Sequence, residues 1–117
     1  MPPALAQLPS ILRASWSPET SSQWLPDNPA RGQCNVTCLV VHDLYGGDIL
    51  KTELPNGWHF YNRIAGERHD FTASQFDAPP AYADVASTRQ EALDGTAEEC
   101  YLALKERVEA ARADTPG

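Results

Sequence analysis

Basic residues are scarce in this chain: Lys and Arg total 9 against 16 Asp and Glu, leaving a formal net charge of −7. Without a cationic surplus there is little with which to displace counterions from a phosphate backbone, so nucleic acid is not an expected partner. Long apolar runs are missing as well. No stretch approaches the roughly 18 residues that a membrane-spanning helix needs, so no membrane partner is expected. The first residues lack the basic start and apolar stretch of a secretory leader. Cysteine is sparse and odd in number, at Cys34, Cys38 and Cys100. In a chain without an export signal this argues against a disulfide framework. Internal repeats and low-complexity stretches are also lacking. These absences point to a small, acidic, cytoplasmic domain with free thiols.

What is present is ordinary for a globular protein: 117 residues, 42% apolar and 21% charged. That length supports one domain, spanning 1–117, and no second independent core. From Ala4 to Arg13, Leu5, Leu8, Ile11 and Leu12 form one apolar stripe and predict a first helix. Ser17-Pro18-Glu19 reads as the start of a short second helix, and Trp24 to Pro29 as a proline-bounded loop. Gly32 to Tyr45 is apolar around much of its circumference, which predicts a buried helix, ended by Gly46-Gly47. The β-branched stretch Leu39 to Val41 would also suit a strand.

From Asp48 the pattern changes. Asp48 to Leu54 and Trp58 to Ile64 read as strands joined by the hairpin signal Asn56-Gly57. Ala65-Gly66 turns into a third strand, Glu67 to Thr72, completing an antiparallel meander. Ala78 to Ala86 reads as loop. Thr96-Ala97-Glu98-Glu99 is a capping-box sequence opening a last helix to about Arg112. The expected class is α+β, in the order α-α-α-βββ-α.

Three residues in this layout can carry chemistry. Cys34 lies at the start of the buried helix, where unpaired amides and the positive end of the helix dipole favour a thiolate. His59, in the second meander strand, can take its proton, and Asp70, in the third, can fix the imidazole tautomer. A two-residue Ala65-Gly66 turn pairs Ile64 with Glu67 and sets Asp70 opposite Tyr61. Asp70 then shares a sheet face with His59 at a diagonal of roughly 7–8 Å, within reach of a hydrogen bond. The other face carries Trp58, Phe60, Ile64 and Phe71. This register also sets Arg63 against Arg68, so a carboxylate or solvent must separate them. A three-residue turn would move Asp70 to the apolar face unless a bulge restored it.

The order helix-starting Gly-Gln-Cys, strand His, strand Asp-x-Thr resembles the core of papain-like and transglutaminase-like cysteine enzymes. More narrowly, Asn28 to Cys34, Gly57 to Arg63 and Asp70 to Phe76 resemble the small bacterial YunG-like proteins, which implies a family without a defined reaction. The resemblance covers about Ser15 to Phe76. It implies a papain-like or transglutaminase-like core, with the Cys-bearing helix packed on the meander. It also implies Cys34 as nucleophile, His59 as base and Asp70 as orienting group. For the oxyanion, the backbone N–H of Cys34 is one natural donor. Asn28 is a side-chain candidate, because papain-like enzymes place a Gln at a similar distance before the cysteine. Gln33 and Gln23 compete with it, and the transglutaminase pattern would bring in Trp24 or Trp16.

Each of these residues also has a structural reading. A buried cysteine is usually a small inert hydrophobe, which is the simplest role for Cys38 and Cys100. His59 can be a strand residue bonded to a neighbour, and Asp70 a cross-strand partner of Arg63 or Arg68. Cys34, Cys38 and His42, with His69, raise the alternative of a metal site. Their helical stripe drifts by ~40° over eight residues, and structural zinc favours close cysteine pairs on turns, so no metal is assigned. Gly46-Gly47 lacks the following Lys-Ser/Thr of a phosphate cradle. The expected function is a cysteine-dependent acyl-transfer or amide-hydrolysing enzyme that needs no cofactor. Its substrate would be a small molecule, peptide or acyl thioester, and self-association is left open. The alternative is a non-catalytic binding module on the same scaffold.

Overall fold

In the computed structural model, which describes residues 2–113, Pro55-Asn56 turns a hairpin, one residue earlier than the expected Asn56-Gly57, because Gly57 already pairs with Leu54 as the first residue of the second strand. Strand β1 (Asp48–Leu54) and strand β2 (Gly57–Ile64) pair antiparallel, from Leu54 opposite Gly57 to Asp48 opposite Arg63. Strand β3 (Glu67–His69) follows the Ala65-Gly66 turn, with Ile64 opposite Glu67 and Arg63 opposite Arg68. The two arginines coexist because each has its own carboxylate: Arg63 binds Asp48 at 3.0 Å and Arg68 binds Asp84 at 2.7 Å. β3 is shorter than the sequence pattern suggests. Asp70 leaves the ladder because its Oδ1 accepts from the Thr72 N–H and the Thr72 hydroxyl, both at 3.2 Å, a local turn that competes with strand pairing. The chain then enters a 3-10 turn at Ala73–Gln75.

Two elements go beyond the sequence reading, one overlapping the end of the expected Ala78 to Ala86 loop and one in residues 87–95, to which no element is assigned from the sequence. Strand β4 (Val85–Ser87) pairs with the free edge of β1, giving a four-stranded antiparallel sheet in the order β3-β2-β1-β4. Pro79 and Pro80 just before it obscure so short a strand. Helix α3 (Arg89–Asp94), as numbered below, is capped by Thr88, whose hydroxyl accepts from the Glu91 N–H at 3.1 Å.

The helices layer on one side of this sheet. A 3-10 turn, Leu5–Gln7, leads into helix α1 (Leu8–Ser15). The short helix expected at Ser17 is instead a single turn. There the Ser17 N–H and carbonyl both engage the Thr20 hydroxyl at 3.0 Å, so side chains take the bonds a helix would use. Helix α2 (Cys34–Tyr45) buries Val36 through Val41 without a break, because β2, α3 and helix α4 (Glu98–Ala113) surround it. Its Asn62 neighbour on β2 donates to the Cys38 carbonyl at 3.1 Å. Leu8, Leu12, Leu39 and Leu104 are fully buried in this core, each contributing roughly 1.5–3 kcal/mol by leaving water. Arg107 of α4 ties down the end of α1 by donating to the Ser15 carbonyl at 2.6 Å. Among the described residues no helix is long and apolar enough to cross a membrane.

The opposite sheet face carries Leu50, Thr52, His59 and Tyr61, all buried. Its cover is the 70–84 segment, fastened by polar bonds. Thr52 donates to the Ala81 carbonyl and accepts from the Ala83 N–H, each at 3.0 Å. Tyr61 donates to Asp84 Oδ1 at 2.9 Å and accepts from the Asp84 N–H at 2.8 Å.

Candidate active site

Cys34 is the first residue of α2, so its sulfur lies where the helix presents unpaired amides and the positive end of its dipole. The preceding loop reaches that point through Gly32, at φ +74°. A Cβ there would come within 2.4 Å of Ser21 Oγ and 2.9 Å of Gln23 Cβ. Cys34 is partly exposed and lines a cavity of about 220 Å3 together with His59, Trp58, Gln23, Gln75 and Phe76. Its thiol donates to Asn35 Oδ1 at 3.3 Å, and Asn35 is itself held by donating from Nδ2 to the Ala92 carbonyl at 2.9 Å.

His59 is 2% exposed, and its Nε2 meets Asp70 Oδ2 at 2.7 Å. Phe76 closes on the ring edge-on, with centroids 5.0 Å apart. Burial is the largest influence on this imidazole and pulls its pKa down. Hydrogen bonds to Asp70 and Cys34, with the charges behind them, outweigh burial and raise the value to about 9. Nε2 is committed to Asp70. Cys34 and His59 line one cavity, and Asp70 reaches the ring from a loop just beyond β3.

Asp70 is fixed by more than its histidine. Tyr82 donates its hydroxyl to the same Oδ2 at 2.7 Å, while Thr72 occupies Oδ1. Tyr82 packs edge-on against Tyr61 at 4.9 Å and beneath the Arg68 guanidinium at 4.5 Å. Burial, then the bond to Asp70, push the Tyr82 phenol well above its ordinary pKa, so it stays a donor. Gln75 joins the two halves of the site. Its Nε2 donates to the Thr72 carbonyl and hydroxyl at 3.1 Å, and its Oε1 accepts from the Gly32 N–H at 3.3 Å.

The side chains considered for the oxyanion fall in different places. Asn28 is engaged with this strap, donating from Nδ2 to the Gln75 carbonyl at 3.2 Å. Gln33 is fully buried: its Oε1 accepts from the Thr20 hydroxyl at 2.8 Å, and its Nε2 is buried without a partner. Neither lines the cavity, whereas Gln23 does. Trp16 donates from its indole to the Thr37 hydroxyl at 2.9 Å, and the Trp24 indole Nε1 is buried without a partner. The sequence offered no signal for Tyr82, Gln75 or Asn35, because their roles arise from loops meeting in space. Gln23 was visible only as one glutamine among several.

The residues of the metal alternative are dispersed. Cys38 is buried, its thiol pushed up in pKa by burial and by Cys34, and it donates to the Asn35 carbonyl at 3.2 Å. His42 Nδ1 meets Arg89 at 2.9 Å, and His69 stacks on Phe71. Among the described residues no three His, Cys, Asp or Glu side chains gather as ligands.

Comparison with known proteins adds a family. The chain matches no solved structure. It is 49% identical over 96 residues to the uncharacterized protein YunG of Bacillus subtilis (strain 168), an alignment covering 82% of this chain and 84% of that protein. The family described as "YunG protein" matches residues 4–113, a span that takes in Cys34, His59, Asp70 and every helix and strand given above. The chain therefore belongs to the YunG family.

Proposed function

We propose that this protein is a cysteine-dependent acyl-transfer or amide-hydrolysing enzyme in which Cys34, His59 and Asp70 act as a triad. The observation that carries this reading is the buried imidazole, bonded to a carboxylate and lining the same open cavity as a helix-terminal thiol. An imidazole whose pKa is raised to about 9 takes the thiol proton and holds it as an imidazolium beside the thiolate. Sγ then attacks a substrate carbonyl. As the new C–S bond forms, the bond to the leaving amine or thiol breaks, and His59 gives its proton to that group. Water or an amine attacks the resulting thioester, returns a proton to His59 and releases the acyl product, restoring the thiol. No cofactor enters this sequence. The backbone N–H of Cys34, with the Gln23 amide across the cavity, would stabilise the oxyanion.

The order Cys, His, Asp, with the cysteine opening a helix packed on an antiparallel sheet, resembles papain-like and transglutaminase-like enzymes. We read the fold as a small version of that core, working in a reducing, cytoplasmic setting. The test is thiol reactivity. Iodoacetamide is expected to modify Cys34 selectively at a pH where ordinary thiols are slow, and His59→Ala to abolish that selectivity. Equal, slow labelling of Cys34, Cys38 and Cys100 would refute the enzyme and favour a non-catalytic binding module.

A further inference from the structure

A second cavity, of about 350 Å3, opens beside the first. The two share Asn35, Trp58 and Gly95 as walls, so the space at the thiol continues past the indole to the end of α3. Trp58 is 44% exposed there. The charges around it are unbalanced. Lys51 lies 4.2 Å over the ring, but its charge is matched by Glu91 at 2.5 Å. Asp94, on the second cavity's wall, accepts only from the Gln90 side-chain amide at 2.8 Å. Glu53, exposed, stands directly opposite Trp58 across the β1–β2 ladder. Neither Asp94 nor Glu53 has an ion-pair partner among the described residues. One cation and three carboxylates therefore leave two uncompensated negative charges around an exposed aromatic ring, over which Lys51 already lies. Such a surface attracts organic cations through Coulomb attraction, to which the ring quadrupole adds.

We infer that the groove running from Cys34 over Trp58 to Asp94 is a subsite for a cationic amino group of the substrate, an ammonium or guanidinium carried beyond the reacting carbonyl. The inference rests on Cys34 being the nucleophile, and it narrows the substrate to an amine-bearing acyl compound. The probes are three methanethiosulfonates that differ in charge: aminoethyl (cationic), hydroxyethyl (neutral) and sulfonatoethyl (anionic). Their rates on Cys34 at low salt are divided by their rates on free 2-mercaptoethanol. The cation-to-anion ratio is expected to be on the order of three- to tenfold above that of Cys100 in the same chain. Asp94→Asn, Glu53→Gln and Trp58→Ala should each lower it, and Glu106→Gln, on the exposed face of α4, should not. A ratio insensitive to Asp94, Glu53 and Trp58, with Cys34 still the fastest thiol toward the neutral reagent, overturns the subsite and leaves the triad standing. If Cys34 is no faster than Cys100 toward the neutral reagent, the nucleophile reading fails and takes the subsite with it.

Discussion

Replacing Asp70 by Asn keeps the side-chain shape and removes the charge that faces His59. In the native protein the His59 pKa rises from 6.5 to about 9, a gap equivalent to about 3 kcal/mol in favour of the folded, protonated form. Because the folded value lies above the unfolded one, this stabilisation is complete below about pH 6.5 and is lost as pH rises through about 9. Both side chains are nearly out of water, 2% and 5% exposed, so solvent screening does not erode it. In Asp70→Asn both Asp70 contributions are gone and burial works against what remains, so the imidazole pKa falls and the native slope between pH 6.5 and 9 flattens. Urea unfolding across pH 6 to 10 should show the native–variant difference greatest near pH 6 and smaller at pH 10, by up to about 3 kcal/mol. A residual loss independent of pH is expected from the bonds to Thr72 and Tyr82, roughly 1 kcal/mol each. A difference equal at both ends, or a native His59 resonance titrating near 6.5 by NMR, would refute the buried ion pair.

Tyr82→Phe removes one donor from Asp70 Oδ2, so the carboxylate should hold the His59 proton more tightly. The His59 midpoint is expected to rise by a fraction of a unit while stability falls by about 1 kcal/mol, and a fall in the midpoint would contradict the bond. Gly32→Ala and Gly66→Ala each place a Cβ at positive φ, +74° and +83°, but of the two Gly32 is the crowded one: nothing lies within 4 Å at Gly66. Gly66→Ala should cost about 1 kcal/mol and Gly32→Ala at least twice that, with slower Cys34 alkylation only in the latter. Equal losses in thermal unfolding would mean that the approach of Gly32 to Ser21 and Gln23 is not a constraint.

The parts of the fold legible in the sequence are those written in local pattern. Asn56-Gly57 marks the hairpin, although the turn itself falls on Pro55-Asn56 and Gly57 opens the second strand, and the all-round apolar character of Val36 to Val41 demands burial. The Ala65-Gly66 turn fixes the register that sets Arg63 against Arg68, and each arginine indeed carries its own carboxylate. β4 was illegible because three residues have no period, and pairing with β1 is a non-local event. α3 was signalled by Thr88 and Glu91, the same Thr-x-x-Glu spacing as the sequence read near Thr96, but six residues are too few for an apolar period to show. At the site, Cys34 and His59 could be placed because each sits on a regular element. The contribution of Asp70 was anticipated as a strand residue, whereas its Asx-type turn with Thr72 takes it off the ladder before it meets the ring.

That departure explains how the site holds together. A carboxylate inside β3 would be positioned by ladder register, and at a diagonal of roughly 7–8 Å its reach to His59 would depend on side-chain extension alone. Carried on the 70–84 segment, Asp70 is placed by bonds from two other residues of that segment. Thr72 fixes one oxygen, Tyr82 the other. Gln75 fastens the same segment to Gly32, two residues before the sulfur. The helix-side core therefore fixes Cys34, the sheet fixes His59, and one polar strap ties the loop that carries Asp70 to the loop that leads into Cys34. Substituting Gln75 with Ala removes the bonds to Thr72 and Gly32 together without touching the apolar core. Its effect should thus fall on Cys34 alkylation and the His59 midpoint more than on the unfolding temperature. A core residue such as Leu39 should show the reverse, because its 0% exposure puts its contribution in packing, at roughly 2–5 kcal/mol on truncation to Ala.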